Sequence, residues 1–180
     1  MNKDSVIFVA GHNGMVGSAV IRSLKRSGFK NILIGSRDEL DLSNYNHVEF
    51  FFKNKRIDIV YNCAAKVGGI IGNRDHPGDY ILQNLLIQNN LFQASLKHSV
   101  NRFVFLGSSC IYPKNCSQPM KEEYILSGLL EPTNEAYAVA KIAGIITAKG
   151  LSTQYKMKSV CPMPTNLYGP GDNWHPENSH

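Results

Sequence analysis

The chain has 180 residues, of which 43% are hydrophobic and 18% charged, with a formal net charge of +5. A chain of this length can bury one real core, and the composition is ordinary for a globular protein. The basic residues are scattered, which argues against nucleic acid as a partner. No apolar run approaches the roughly 20 residues of a membrane span, and no charged-then-apolar leader opens the chain. These features predict a cytoplasmic protein that binds neither nucleic acid nor membrane.

Short apolar runs alternate with helical patterns along the chain. In chain order they predict strand 6–10, helix 15–27, strand 31–35, helix 44–55, strand 58–64, helix 79–99, strand 102–107, helix 134–155 and strand 158–161. Short, almost wholly apolar strands are typical of a parallel sheet covered on both faces. The repeated β-α-β order therefore predicts the α/β class, as a doubly wound parallel sheet of the Rossmann type with right-handed crossovers.

Three longer stretches, 66–78, 109–133 and 162–180, are expected to be irregular. Each follows a predicted strand, so each should lie at the carboxyl edge of the sheet, where such folds bind ligands. We expect residues 1–180 to form one dinucleotide-binding domain, with the start of a substrate-binding region at 162–180. The chain ends abruptly within that region.

A glycine-rich turn lies between the first predicted strand and the first predicted helix. Its residues, all candidates for cofactor binding, are Gly11, His12, Asn13, Gly14, Met15, Val16 and Gly17. Glycine allows a tight turn and lets backbone amides approach a pyrophosphate at the positive end of a helix. A glycine triplet alone is a weak signal, and its alternative is a purely structural turn. The strand-turn-helix context favours dinucleotide binding.

The end of the second strand indicates which dinucleotide is bound. An NAD enzyme usually has an acidic residue there, to bond the ribose hydroxyls, but here Gly35 and Ser36 are followed by Arg37. A guanidinium suits the 2′-phosphate of NADP; the alternative is a solvated surface arginine. Asp41 and Leu42 would then flank the adenine, and Ala64, Ala65 and Lys66 would line the nicotinamide side.

Tyr137 and Lys141 are four residues apart in a predicted helix and so share one face. The ammonium of Lys141 is expected to lower the pKa of Tyr137, which could then donate a proton to a carbonyl oxygen. Ser108, at the end of the fourth strand, could donate a second hydrogen bond to that oxygen. Alone, this spacing also fits an exposed lysine beside a half-buried tyrosine. After a glycine-rich turn and a Ser-Ser strand end, it predicts a reductase.

The four cysteines show no metal-ligand spacing, and we expect Cys63, Cys116 and Cys161 to be reduced, partly buried thiols. Cys110 differs because it follows Ser108 by two residues. Protons on the carbons beside a ketone are acidic, and a thiolate and an imidazole are suitable groups to remove and return them. Cys110 and His180 are therefore candidates for an epimerisation step. A structural thiol and a disordered terminus are the respective alternatives.

Five segments closely resemble those of the GDP-L-fucose synthases, a branch of the extended short-chain dehydrogenase/reductases. They are GHNGMVGS at 11–18, AAKVGGI at 64–70, GSSCIYP at 107–113, EPTNE at 131–135 and PTNLYGP at 164–170. The resemblance covers essentially the whole chain. It implies an NADPH-dependent 3,5-epimerase-4-reductase that converts GDP-4-keto-6-deoxy-D-mannose to GDP-L-fucose.

By matching motif positions, the resemblance implies that Tyr137, Lys141 and Ser108 are the reductase triad, with Cys110 and His180 the epimerisation pair. It extends the cofactor-binding set, which then also includes Ser108, Tyr137, Lys141, Leu106, Gly107, Pro164, Thr165, Asn166, Leu167 and His180. It also implies a homodimer, paired through helices 79–99 and 134–155. The family's sequences continue well beyond the position of His180, so we expect an amino-terminal fragment, or a truncated gene product, that lacks most of the carboxyl-terminal substrate domain.

Other functions stay open at this stage. The chain could bind NADP(H) without turning over a substrate. It could also be a related nucleotide-sugar enzyme, such as a 4,6-dehydratase, a 4-epimerase or a GDP-keto-deoxy-heptose reductase. Dehydratases of the superfamily usually have an Asp-Glu pair near the position of Cys110, and none is present here. The heptose reductase is harder to separate, because the residues that read the sugar are expected beyond His180.

Overall fold

The computed structural model describes residues 2–173. Its strands β1 to β5 are Ile7–Ala10, Ile32–Leu33, Ile59–Asn62, Arg102–Phe105 and Lys158–Val160, and its helices α1 to α5 are Met15–Arg26, Tyr45–Lys53, Ile70–Asp75, Pro77–Lys97 and Glu135–Tyr155. Three 3₁₀ helices, Ser109–Ile111, Glu122–Tyr124 and Pro132–Asn134, lie between β4 and α5. Within the described part, no helix is both long enough and apolar enough to cross a bilayer.

The five strands form one parallel sheet in the order β2-β1-β3-β4-β5. Ile7 of β1 is in register with Ile32 of β2 on one side and Ile59 of β3 on the other. The strand order therefore reverses between β1 and β3, which is the point where doubly wound sheets bind ligands, outside the carboxyl ends of the strands. The predicted doubly wound α/β fold is confirmed.

Both faces of the sheet are buried, as alternate residues of β1 demonstrate. Phe8 and Ala10 belong to the larger apolar cluster, whereas Ile7 and Val9 belong to a second cluster on the opposite face. In the larger cluster, the rings of Phe92 and Phe103 stack with their centroids 4.3 Å apart. This two-sided core fixes the carboxyl edge of the sheet, where the candidate site lies.

The stretch 66–78, predicted to be irregular, contains helix α3 and the start of α4. Glycines and a proline interrupt the apolar pattern here, and local side-chain bonds hold the start of the helix: buried Asn73 donates to the carbonyl oxygens of Gly68 and Gly69 at 2.8 and 3.0 Å. Helix α4 begins two residues earlier than predicted, because Pro77 occupies its first turn, where the missing N–H is tolerated. The other predicted elements are present, with bounds that differ by at most two residues.

Candidate active site

The turn between β1 and α1 needs glycine at two positions. Gly11 has a φ of +77°, and a Cβ there would lie 2.7 Å from the backbone nitrogen of Ala64. A Cβ on Gly17 would collide with the carbonyl oxygen of Gly11. The missing side chain of Gly17 thus lets the start of α1 lie close to the turn, and the missing side chain of Gly11 lets the turn lie close to the end of β3.

The amino end of α1 is open to an anionic ligand. Its N-cap residue, Gly14, is exposed and offers no side chain to cap the helix. The first-turn amides of a helix have no intrahelical partners, and Ser18 is the first residue whose N–H bonds back to Gly14. Free amides at the positive end of a helix bind phosphate. This part of the chain therefore fits a dinucleotide pyrophosphate.

Arg37 and Asp41 lie on the segment that follows β2. Arg37 is exposed, and Asp41 accepts hydrogen bonds from the backbone and hydroxyl of Ser43 at 2.9 and 2.7 Å. Those bonds, together with the nearby Arg37 charge, hold the pKa of Asp41 below its ordinary value. The next residue, Leu42, is fixed through its carbonyl oxygen, which accepts from Asn90 at 2.9 Å.

The segment Ala64, Ala65 and Lys66 is held by buried amide side chains. Asn62 accepts from the backbone of Ala64 at 3.2 Å. Asn84, on α4 and 3% exposed, accepts from the Lys66 nitrogen at 3.0 Å and donates to its carbonyl oxygen at 2.9 Å. We did not predict these roles; the signal that could have found Asn84 is a polar residue on the apolar face of a helix.

Ser108, Tyr137 and Lys141 lie together where β4 meets α5. Lys141 is 4% exposed, and its Nζ donates to the carbonyl oxygen of Leu106 at 2.9 Å. The same Nζ lies 5.7 Å from the ring centroid of Tyr137. Tyr137 shares a hydrogen bond with Ser108, which acts to lower the tyrosine pKa. Lys141 is therefore buried, which excludes the alternative of an exposed lysine beside a half-buried tyrosine.

One electrostatic prediction is wrong. We expected Lys141 to lower the pKa of Tyr137, but burial raises the pKa of Tyr137 to about 12, and a negative charge on Cys110 adds to the increase. Burial likewise lowers the pKa of Lys141 to about 8. The physical reason is that both side chains have left water, which penalises the phenolate and the ammonium alike. At neutral pH the phenol of Tyr137 therefore keeps its proton.

Cys110 lies in the 3₁₀ turn that follows β4, and its backbone N–H donates to Ser108 Oγ at 3.3 Å. Its sulfur accepts a hydrogen bond from Asn134 Nδ2, also at 3.3 Å. Asn134 was in a recognised motif but not among the predicted site residues, since nothing in the spacing of the two residues connects them. Cys63, Cys116 and Cys161 are free thiols of intermediate exposure, as predicted.

The segment after β5 runs beside the end of β4. Gly107 N donates to Pro162 O at 2.9 Å, and Ser109 N donates to Pro164 O at 3.1 Å. This pairing brings Pro164 next to Ser108, and the exposed residues 165–167 follow directly. His180 lies outside the described residues, so its predicted pairing with Cys110 stays a prediction.

An open cavity of about 570 Å³ lies among residues 113–132. Lys114, Cys116, Tyr124 and Pro132 are among its lining residues. It borders the segments that leave Cys110 and approach Asn134, and it is separate from the glycine-rich turn. The cavity is therefore lined by the connection between Cys110 and Asn134 and not by the candidate catalytic residues themselves.

The chain is similar to curated GDP-L-fucose synthases. It is 52% identical over 174 residues to the GDP-L-fucose synthase of Escherichia coli (strain K12), which covers 97% of this chain and 54% of that protein. It is 50% identical over 179 residues to GDP-L-fucose synthase 1 of Arabidopsis thaliana, covering 99% and 55%. The predicted resemblance is confirmed, and the chain spans about half the length of the curated relatives it matches.

Solved structures share the same architecture. DdhaC matches with a TM-score of 0.95 and 43% identity, over 100% of this chain and 52% of its own. MlghC, a GDP-mannoheptose C4 reductase from Campylobacter jejuni solved with NADP bound, matches with a TM-score of 0.90 and 38% identity, over 93% and 53%. The family model described as "NAD dependent epimerase/dehydratase family" matches residues 7–180. With its parallel sheet, glycine-rich turn and Tyr-Lys pair, the chain belongs to the NAD dependent epimerase/dehydratase family.

Proposed function

We propose that this chain carries the cofactor-binding and catalytic residues of an enzyme that makes GDP-L-fucose. The substrate would be GDP-4-keto-6-deoxy-D-mannose, epimerised at carbons 3 and 5 and then reduced at the 4-keto group with NADPH. The observation that carries the proposal is the placement of Ser108, Cys110, Tyr137 and Lys141 at one strand end, with proton-transfer groups for both steps. The similarity to the E. coli enzyme supports the choice of substrate.

NADP(H) is the proposed cofactor, with its pyrophosphate at the amino end of α1 and its 2′-phosphate at Arg37. The exposed guanidinium of Arg37 after β2 supports NADP over NAD, because it suits a 2′-phosphate. MlghC, which has a similar fold, was solved with NADP bound. When bound, NADPH supplies the hydride, and the side chains of this chain orient the ketone and move its protons.

In the reduction, Tyr137 would donate its phenolic proton to the ketone oxygen, with the Ser108 hydroxyl as a second donor. The pKa of about 12 keeps that proton on Tyr137 until the oxygen becomes basic. Lys141, fixed by the Leu106 carbonyl, would return a proton to the phenolate that remains, because its lowered pKa of about 8 makes it the stronger acid of the two. In the epimerisation, the Cys110 thiolate and His180 would take and return the protons on the carbons beside the ketone.

Replacement of Tyr137 by phenylalanine tests the catalytic part of this proposal. Tyr137→Phe should lower the rate of NADPH consumption with GDP-4-keto-6-deoxymannose on the order of 10²- to 10⁴-fold, because the proton donor is lost. NADPH binding, followed by fluorescence titration, should persist. Tyr155→Phe is the matched control, because Tyr155 ends the same helix and is 51% exposed. Turnover by Tyr137→Phe at the control rate would exclude Tyr137 as the donor.

A GDP-keto-heptose reductase is the second candidate. It is favoured by the match to MlghC, which is described as a GDP-mannoheptose C4 reductase. Parallel assays with the keto-deoxyhexose and keto-heptose nucleotides separate the two functions. We expect the deoxyhexose to give the higher kcat/KM, and a preference for the heptose would replace the main proposal with this one.

We also infer a homodimer paired through α4 and α5, in the cytoplasm. Leu82 and Leu86, one helical turn apart on α4, are 60% and 43% exposed, and Val139 and Ile146 on α5 are 40% and 50% exposed. Exposed apolar residues on two neighbouring helices favour burial against a second copy. The free cysteines fit a reducing compartment.

A further inference from the structure

Asn134 precedes α5 at a position where an asparagine usually caps the helix. Such a residue accepts a hydrogen bond from a backbone amide of the first turn. Asn134 makes no side-chain cap bond. Its Nδ2 instead donates to the sulfur of Cys110 at 3.3 Å. The Asn134 side chain therefore does not stabilise its own helix and instead contacts a thiol 24 residues earlier in the chain.

The other end of the same amide is also unusual. Asn134 Oδ1 is buried and has no hydrogen-bond partner within the part of the chain that the structure describes. An unpaired buried acceptor lowers stability, and in a native protein such an atom calls for a specific explanation, for example a catalytic role. Both observations indicate that the sulfur, rather than the helix, sets the orientation of this amide.

Other contacts tie the two segments together without Asn134. Lys114 Nζ forms an ion pair with Glu131 Oε2 at 2.9 Å, and the backbone nitrogen of Lys114 donates to Leu129 O at 2.9 Å. Glu131 also accepts from the backbone of Thr133, which shapes the turn before α5. Loss of the amide would therefore change the surroundings of the sulfur without releasing the two segments from each other.

We propose that Asn134 is a positioning residue for Cys110. The side-chain amide of Asn134 holds the Cys110 sulfur in place and favours the thiolate form of Cys110 over the thiol. A donor hydrogen bond stabilises the charged form of the group that accepts it. Within residues 2–173, the titratable side chain that interacts with Cys110 is Tyr137 of α5, and a negative charge there would oppose the thiolate. Asn134, from the start of the same helix, acts in the other direction.

This inference rests on the proposed function for its purpose. In epimerisation the Cys110 thiolate takes a proton from the carbon beside the ketone and becomes a thiol, and the C–H electron pair passes into the enolate. A second group then returns a proton to the other face of that carbon, and Cys110 must be deprotonated again. A donor that favours the thiolate serves that cycle, and no oxidant or reductant is needed.

The test is the alkylation of Cys110 by iodoacetamide between pH 6 and pH 10, followed by peptide mass spectrometry on the complete 180-residue chain. The variants are Asn134→Ala, Asn134→Ser and Asn134→Asp, and Cys116 of the same molecule is the internal reference. Serine caps helices as well as asparagine does but has no amide donor, so it separates capping from donation to sulfur.

In Asn134→Ala and Asn134→Ser, the pH of half-maximal Cys110 alkylation should rise by about one unit. Asn134→Asp should raise it further, because a carboxylate repels the thiolate, and the Cys116 profile should not change. An unchanged Cys110 profile in the serine variant, or an equal shift of Cys116, would overturn the proposal. Since no turnover is measured, a chain that cannot reduce the keto-sugar would contradict the proposed function and leave this result intact.

Discussion

At the scale of the residue, the burial of one lysine, Lys141, makes the free energy of unfolding depend on pH. Its pKa falls from 10.5 to about 8 because the side chain has lost water. Between these values the unfolded chain holds a proton that the folded chain has released, so the free energy of unfolding rises with pH. Burial also raises the pKa values of Cys63 and Tyr137, each to about 12. These two groups lower the free energy of unfolding as the pH rises, Cys63 above pH 9 and Tyr137 above pH 10.

We therefore predict that the free energy of unfolding rises between pH 8 and pH 9, by roughly 1 kcal/mol from Lys141. Urea unfolding at pH 7, 8 and 9 measures it. Lys141→Met should lack the rise, whereas Lys149→Met, an exposed lysine of the same helix, should keep it. Parallel pH dependences for the wild type and Lys141→Met would show that Lys141 is not desolvated as described.

At the scale of the element, α5 packs closely on β4 through a glycine. A Cβ on Gly144 would collide with the ring of Phe105, which is 1% exposed in the core, whereas a Cβ on Gly150 meets nothing within 4 Å. Both glycines lie in α5. This close approach is what brings Lys141, less than one turn earlier, to the Leu106 carbonyl.

We predict opposite effects of alanine at the two positions. Gly144→Ala should destabilise the fold by about 1–3 kcal/mol through overpacking, and Gly150→Ala should stabilise it by about 0.5–1 kcal/mol through helix propensity. Thermal unfolding of both variants at one pH provides the comparison. Equal effects would mean that α5 and β4 are not as close as described.

At the scale of the whole molecule, the apolar surface shared by α4 and α5 predicts self-association. Leu86→Arg combined with Ile146→Arg should convert a dimer to a monomer, because each change would bury an unpaired charge at the interface. Light scattering coupled to size exclusion measures the mass. Phe50→Arg is the control, since Phe50 is a 71% exposed apolar residue of α2 that is not part of the proposed α4–α5 surface. A wild-type monomer, or a dimer that survives the double change, would refute this interface.

Much of the molecule could be predicted from local patterns, because apolar strands, the glycine turn and the Tyr-Lys spacing are each short in sequence. Helix α3 could not, since its glycines interrupt the apolar pattern, and the hydrogen bonds that Asn73 donates to Gly68 and Gly69 leave no mark in that pattern. The direction of the Tyr137 pKa depends on how deeply the ring is buried, which no motif encodes. The Asn134–Cys110 contact likewise needs the fold to bring two distant segments together.

The most direct test of the central claim is product analysis after incubation of the chain with GDP-4-keto-6-deoxy-D-mannose and NADPH in D₂O. We predict NADPH consumption and formation of GDP-L-fucose that carries deuterium at carbons 3 and 5, which would report epimerisation and reduction together. A reduced product with unchanged configuration and no deuterium at those carbons would contradict the role of Cys110. NADPH bound tightly but not consumed would contradict catalysis by this polypeptide and leave it as a cofactor-binding module.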